Sequence, residues 1–175
     1  MNKTELQQKI VDMEKQLAEL KKELEKKDKG IWRPKEGERY YFIESDAEIN
    51  DTFYTEHDID KRLFDFGNYY KNEEEALKMS KYLKYTNLLR KYVEEHSEPL
   101  NWGSQNQRKY YIYYDYTENR ICFESITTWR DLGQIYASSA EVLKEAIEFV
   151  GEDNIKRHIF GIEEWLWTFI LGKSI

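Results

Sequence analysis

Few side chains in this sequence are of the types that perform covalent or metal-dependent chemistry. The 3 histidines and the single cysteine, Cys122, lie in separate parts of the chain. His57 is close to Asp58 and Asp60, but neighbouring residues of one loop rarely converge on a single metal ion. We therefore interpret this segment as an exposed loop. Cys122 is expected to fill core space, because no motif typical of a nucleophilic cysteine surrounds it.

Phosphate and cofactor motifs are equally scarce. The chain has only 8 glycines, and no glycine-rich loop is available to bring backbone amides against a phosphate. Gly67 and Gly133 are expected at equivalent strand starts, where a bulge or close backbone packing favours glycine. The sequence therefore predicts no catalytic residue, no metal site, no cofactor and no enzymatic activity.

A tyrosine-rich segment offers an alternative interpretation. Tyrosines can stack on bases, and nearby basic side chains can pair with phosphates. The candidate contacts for a nucleotide signal or for single-stranded nucleic acid are Arg108, Lys109, Tyr111, Tyr113 and Arg120. Packing in the core is the competing interpretation for most of these tyrosines.

The charge of the chain argues against nucleic acid as a direct partner. Residues 1–30 hold 8 lysines against 7 acidic side chains, so the remainder carries 19 of the 27 basic and 27 of the 34 acidic side chains. Such a body repels phosphates and favours a partner protein with a basic surface, although it also serves simple solubility. The candidate partner surface comprises Asp58, Asp60, Glu73, Glu74, Glu75, Trp165 and Trp167.

The clearest pattern is an amphipathic helix at the N-terminus. Apolar residues recur in steps of four and three, the spacing of a coiled-coil seam: Leu6, Ile10, Met13, Leu17, Leu20 and Leu24. Thr4 with Gln7 predicts a capping box and Gly30 a stop, which gives a helix over about residues 5–29. A homo-oligomer, with a dimer favoured, would bury this seam; packing on the body or on a foreign helix are the alternatives.

Beyond residue 30 the composition changes to aromatic and β-branched residues, which predicts an α+β body over residues 31–175. Strands are expected at residues 40–43, 48–54, 66–70, 110–114 and 120–125, and helices after Asn72 and after Ser138 or Ser139. Residues 66–70 match 132–136 without gaps, and residues 75–77 lie opposite 141–143. We therefore predict two ββ(β)α repeats, about 38–96 and 108–150, that form an antiparallel sheet with helices on one side.

Within the predicted helices, one face should pack inward. The expected core residues are Ala76, Met79, Leu83, Leu88 and Tyr92 of the first helix, and Val142, Leu143, Ala146, Ile147 and Val150 of the second. Residues 151–175 add a C-terminal helix or strand, in which Trp165 and Trp167 are either core or interface residues. The apolar run 165–171 is too short to span a membrane, and one cysteine fits a reducing cytoplasm.

Several motifs in residues 31–162 resemble those of small accessory proteins carried by phages and prophages of Gram-positive bacteria. The motif residues are Trp32, Pro34, Gly37, Tyr40, Tyr41, Phe66, Gly67, Asn68, Tyr110, Tyr111, Ile112, Tyr114 and Asp115. The resemblance implies an accessory viral role in the host cytoplasm, and it implies no catalytic residues. Many proteins of this kind block host defence, including CRISPR effectors, by binding.

Together these features predict a phage-encoded, non-enzymatic protein that self-associates and inhibits a host protein such as a defence nuclease. The alternatives are a binder of a nucleotide signal or of single-stranded nucleic acid, and an oligomer with a structural role only.

Overall fold

The chain is a mixture of helices and small antiparallel hairpins, as expected for an α+β protein. The structure is a computed structural model that describes residues 3–27 and 31–162. In chain order the elements are α1 (Lys3–Lys27), β1 (Arg39–Ile43), β2 (Ile49–Phe53), α2 (Asp58–Asp65), α3 (Glu73–His96), β3 (Lys109–Asp115), β4 (Arg120–Ile126), α4 (Ala140–Val150) and α5 (Glu152–Asn154), followed by a π-helical turn (Ile155–Ile159).

The first hairpin, β1–β2, is tied to the start of α3 by a short bridge. Tyr41 and Tyr70 exchange two backbone hydrogen bonds of 2.9 and 2.8 Å. The Asn68 side chain donates to the Ile43 carbonyl at 2.7 Å and accepts from its amide at 2.9 Å. Two residues after Tyr70, the Asn72 side chain accepts a hydrogen bond from the Glu75 amide and caps α3.

The second hairpin, β3–β4, precedes α4 in the same way. Tyr110 and Ala137 exchange backbone hydrogen bonds of 2.9 and 2.8 Å. The Gln134 side chain donates to the Ile112 carbonyl at 2.9 Å. The Ser139 hydroxyl then accepts from the Val142 amide and caps α4. The four hairpin strands and both caps were therefore predicted close to their observed positions, whereas the strand predicted over residues 66–70 is reduced to a single bridge at Tyr70.

The single sheet that we expected is replaced by two separate two-stranded sheets in the described part of the chain. β1 pairs with β2 on one side and with the bridge residue Tyr70 on the other. β3 likewise lies between β4 and Ala137. β1 and β3, the first strands of the two hairpins, thus each have a contact on both edges, so the hairpins do not pair with each other through these strands.

The segment from β1 to α3 and the segment from β3 to α4 are called the first and the second unit below. Their observed correspondence differs by one residue from the gapless alignment predicted above. Tyr70 follows Gly67 by three residues, whereas Ala137 follows Gly133 by four. The caps therefore place Glu75 opposite Val142 instead of opposite Glu141. The extra residue lies between the glycine and the bridge, where a short irregular segment can absorb it.

Helix α3 changes the side that it buries along its length. Ala76 and Ser80 are buried in its first half, where the Ser80 hydroxyl donates to the Ala47 carbonyl of the β1–β2 turn at 3.1 Å. In its second half, Leu89 and Val93 are buried in the main core. The inward positions predicted for Met79 and Leu83 were wrong, because both side chains are exposed.

The main core lies around the second hairpin and includes the inward residues predicted for α4. Its buried members are Leu89, Val93, Ile112, Tyr114, Ile121, Ala137, Leu143, Ala146, Ile147, Val150, Ile155 and Ile162. Leu88, Tyr92 and Val142 are partly buried against this core. The core therefore joins the later half of α3 to β3, β4, α4 and the π-helical turn.

Candidate functional sites

The N-terminal seam forms a continuous stripe of exposed apolar side chains on α1. All side chains of residues 7–20 are exposed. On the seam itself, Ile10 is 54% exposed, Met13 61%, Leu17 55% and Leu20 62%. This part of α1 therefore does not lie against the body, contrary to the alternative in which the seam packs on its own domain. The backbone of Leu6 and Leu24 is helical.

Four of the five acidic residues proposed as a partner surface are exposed. Asp58 at the start of α2 is paired only loosely with Lys61, at 3.4 Å. Glu73 and Glu74 are exposed on the first turn of α3. Glu75 is exposed too, but its carboxylate also accepts hydrogen bonds from the Lys71 amide and the Asn72 side chain, and it thereby strengthens the helix cap. Trp165 and Trp167 lie outside the described residues.

Asp60 does not belong to this surface, because its side chain points inward. It is 3% exposed and accepts a 2.6 Å hydrogen bond from the hydroxyl of the fully buried Tyr40. Its other oxygen accepts from the Thr55 and His57 amides, both at 3.0 Å. The predicted exposed loop is therefore the start of helix α2, held in place by a buried carboxylate.

The protonation behaviour of Asp60 and Tyr40 follows from this arrangement. Burial of Asp60 by itself raises the pKa of the carboxyl, but the hydrogen bonds from Tyr40, Thr55 and His57 outweigh it and hold that pKa below its usual range. Burial, reinforced by the carboxylate, raises the pKa of Tyr40 well above its ordinary value. Asp60 is thus an anion that organises the first unit.

Helix α2 also gathers the aromatic side chains of the first unit. The Phe64 ring lies 4.6 Å from the ring of Tyr69, 5.3 Å from Tyr54 and 5.9 Å from Tyr40, measured between centroids. Rings at these separations and tilts pack favourably. Most of the aromatic residues in this region therefore have a packing role.

The residues proposed to contact a nucleotide do not form one site. Lys109 is fully buried, and its amino group donates to the carbonyls of Ser104 and Thr127 at 2.9 and 2.8 Å. Arg120, at the far end of the hairpin, pairs with Glu118. Arg108 is exposed beside the start of β3. Two of the three basic groups, those of Lys109 and Arg120, are thus already bound to other groups of the protein, and Arg108 and Arg120 lie at opposite ends of β3–β4.

The tyrosines between them lie beside a carboxylate. The Tyr111 hydroxyl donates to Glu124 at 2.8 Å, and this bond raises the pKa of Tyr111 to about 12. Tyr113 lies on the same face and is paired across the strands with Cys122. A negatively charged group in the middle of this face disfavours a bound phosphate.

One group of residues has ligand types that can hold a metal ion. Within residues 3–27 and 31–162, the ligand atoms of Asp115, Glu118 and Cys122 lie within 4.8 Å of one another. Asp115 already accepts hydrogen bonds from the amides of Thr117 and Glu118, and Glu118 is paired with Arg120. The two carboxylates therefore have a structural role in the turn between β3 and β4, which accounts for their position without a metal ion.

A cleft that the sequence analysis missed lies between α3, the segment after it and the loop before α4. It has a volume of about 460 Å³, and its walls include Arg90, Trp102, Arg130, Gln134 and Tyr136. Trp102 packs edge-on against Tyr136, with ring centroids 5.0 Å apart. The Arg130 guanidinium lies 5.3 Å from the Trp102 ring centroid, within the range of a cation–π contact.

The cleft is basic although the body is acidic. Neither Arg90 nor Arg130 is paired with a carboxylate from the described part of the chain. Glu94 also lines the cleft, and the Lys109 amino group lies 5.5 Å from the Trp102 ring. The sequence signal was weak: Trp102 lies in the linker, with Arg90 before it and Arg130 after it, and spacing along the chain does not bring these three residues together.

Comparisons place few limits on the function. None of the described helices has the length and apolar character needed to cross a membrane. Comparison of the chain with protein-family models, with curated proteins and with solved structures gave no match in any of the three.

Proposed function

We propose that this protein is a non-enzymatic binding protein that self-associates through α1 and inhibits a host protein with its acidic body. The observation that carries the proposal is the exposed seam of α1. The helix is 25 residues long, and its described seam residues are all more than half exposed. An isolated helix of this kind is marginally stable in water, so burial of the seam supplies a reason for association.

A second copy of the chain is the occupant that fits the seam best. Spacing in steps of four and three keeps the apolar side chains on one side of a supercoiled pair. At about 1.5 Å per residue the helix extends for about 37 Å, which provides room for several layers of contact. Burying each leucine or isoleucine side chain contributes roughly 1.5–3 kcal/mol. The proposed assembly is a homodimer joined by α1.

Substitution on the seam tests self-association. Leu17→Asp places a charge in the proposed interface and should convert the assembly to a monomer of 21.3 kDa in light scattering. Ala18→Asp adds the same charge to the neighbouring exposed position outside the seam and should leave the mass unchanged. A wild-type protein that is already monomeric, or equal masses for the two variants, would refute the dimer.

The acidic body supports a partner with a basic surface. Asp58, Glu73 and Glu74 are exposed on the first turns of α2 and α3. The resemblance to phage accessory proteins supplies the setting, the cytoplasm of a bacterial host, and makes a defence nuclease such as a CRISPR effector the proposed target. Nucleases bind DNA or RNA phosphates through basic grooves, which an acidic protein can occupy.

A nuclease assay tests the proposed target. Addition of the protein should slow cleavage by a purified CRISPR effector nuclease of a Gram-positive host, and added salt should weaken the inhibition. Neutralising Asp58, Glu73 and Glu74 to the amides should weaken it as well. The matched control neutralises Glu141, Glu145 and Glu148 on α4. Inhibition that is insensitive to salt and to the first set of changes would contradict the acidic surface, and association without any inhibition would favour a purely structural oligomer.

We also propose that the body consists of two copies of one ββ(β)α unit. Each unit joins a hairpin, a single bridge to its first strand and a helix capped two residues later. In each unit an amide side chain, Asn68 or Gln134, bonds the backbone of the equivalent strand residue, Ile43 or Ile112. Such a duplication provides a small scaffold whose loops and hairpin faces are available for binding.

A further inference from the structure

The cleft beside Trp102 has the composition of a site for a small anionic ligand, which goes beyond the proposed function. Its volume of about 460 Å³ lies within the roughly 300–1,000 Å³ of small-molecule sites. Apolar walls formed by Val93, Leu100 and Ile135 accompany the polar groups. Sites of this kind combine an apolar wall with a few polar groups that fix the ligand's orientation.

Two arginines supply the charge that such a ligand needs. Arg90 comes from the later half of α3, and Arg130 comes from the loop before the bridge residue Ala137. Arginine binds phosphate through paired N–H groups and stays charged at any working pH. Glu94 offsets one of these charges, while Lys109 behind Trp102 adds a third basic group. The local excess of positive charge matches a phosphate monoester, which carries about −1.5 to −2 at neutral pH.

The aromatic wall fixes the geometry of the basic group and adds a surface for a flat ring. Trp102 holds the Arg130 guanidinium over its indole ring and is itself held edge-on by Tyr136. The Tyr136 hydroxyl accepts a 2.9 Å hydrogen bond from the Asp131 amide, which anchors the loop that carries Arg130. An arginine whose orientation is fixed in advance loses less conformational entropy when a ligand binds.

We propose that this cleft binds a mononucleotide, with the phosphate held by Arg90 and Arg130 and the base against the wall formed by Trp102, Tyr136 and the aliphatic side chains. The proposal differs from the alternative drawn from the sequence, in which the nucleotide contacts were Arg108, Lys109, Tyr111, Tyr113 and Arg120. The carboxylate of Glu124 lies on that strand face, whereas the cleft offers two arginines and an aromatic wall.

Isothermal titration calorimetry on the full chain tests the site. The probes are the 5′-monophosphates of adenosine, guanosine, cytidine and uridine, with ribose 5-phosphate and inorganic phosphate as truncated ligands. At least one nucleotide should bind, and more tightly than either truncated ligand. Absence of heat with all four nucleotides would overturn the proposal, and equal affinity for ribose 5-phosphate would overturn the role given to the base.

Matched arginine variants locate the ligand. Arg90→Gln and Arg130→Gln should each lower the affinity by roughly tenfold or more, because each removes a charge-assisted pair of hydrogen bonds. Arg108→Gln removes an exposed arginine outside the cleft and should leave the affinity unchanged. All three positions are exposed, so unchanged circular dichroism is expected. A loss of affinity in Arg108→Gln, with the two cleft variants unaffected, would place the ligand on the strand face and refute the cleft.

Discussion

Removal of the Asp60 carboxylate should destabilise the first unit far more than removal of any neighbouring charge. Asp60→Ala leaves the hydroxyl of the fully buried Tyr40 without its acceptor, and it also frees the amides of Thr55 and His57. A hydrogen bond to a charged group contributes about 1.5–3 kcal/mol, and loss of the helix-start contact costs about 1 kcal/mol more. We expect the free energy of unfolding to fall by about 3 kcal/mol.

Two further variants separate the contributions. Tyr40→Phe keeps the ring against Phe64 and leaves Asp60 its backbone donors, but it removes one hydrogen bond to the carboxylate, so it should cost about 2 kcal/mol, less than Asp60→Ala. Asp58→Ala, two positions earlier on the same helix, removes an exposed carboxylate and should change stability by no more than about 0.5 kcal/mol. Urea denaturation followed by circular dichroism measures all three. Equal losses for Asp58→Ala and Asp60→Ala would refute the reasoning.

The same carboxylate predicts how stability depends on pH. The pKa of Asp60 is lower in the folded chain than its ordinary value, so its ionised form stabilises the fold. This contribution is fully present above the unfolded pKa of about 3.9 and is lost as the pH falls through the lower folded value. The difference in melting temperature between wild type and Asp60→Asn should therefore stay constant from neutral pH to about pH 5 and shrink as the pH falls below about 4. A difference that is constant over the whole pH range would contradict an ionised Asp60.

Two other substitutions test the second unit. Leu143→Ala removes a fully buried side chain from the main core and should cost about 2–5 kcal/mol in urea denaturation, whereas Leu132→Ala, at a fully exposed position, should have almost no effect. Lys109→Ala leaves two backbone carbonyls without their donor and should cost about 3 kcal/mol. Arg108→Ala, at the adjacent exposed position, should cost less than about 0.5 kcal/mol. Similar stabilities for the two members of either pair would contradict the burial described.

The strands and helix ends were predictable because their signals are local. Runs of tyrosine with phenylalanine or isoleucine mark β1 and β3, and a side chain that caps its own helix, such as Asn72 or Ser139, lies within three residues of the amide it serves. The inward face of α4 was predictable for a similar reason, since one apolar stripe packs on one neighbour. Architecture at this level follows from short segments of sequence.

The environments of the candidate site residues were harder to predict because they are set by distant segments. From the sequence, Asp60 was interpreted as a surface charge, but the fold places Tyr40 of β1 beside it. Lys109 was interpreted as a candidate nucleotide contact, but its amino group donates to the carbonyls of Ser104 and Thr127. The cleft depends on Arg90, Trp102 and Arg130, which come from three separate segments. Pattern and composition carry no information on such long-range neighbours.

The change of buried side along α3 makes the two halves of the body mechanically interdependent. Its early turns contact the first hairpin through Ser80, and its later turns supply Leu89 and Val93 to the main core. Neither half retains a complete interior if the other melts, so thermal unfolding of the body should be a single cooperative event. Arg90 extends from the same helix. A ligand bound in the cleft should therefore also stabilise the first hairpin against unfolding, and loss of the first hairpin should weaken ligand binding.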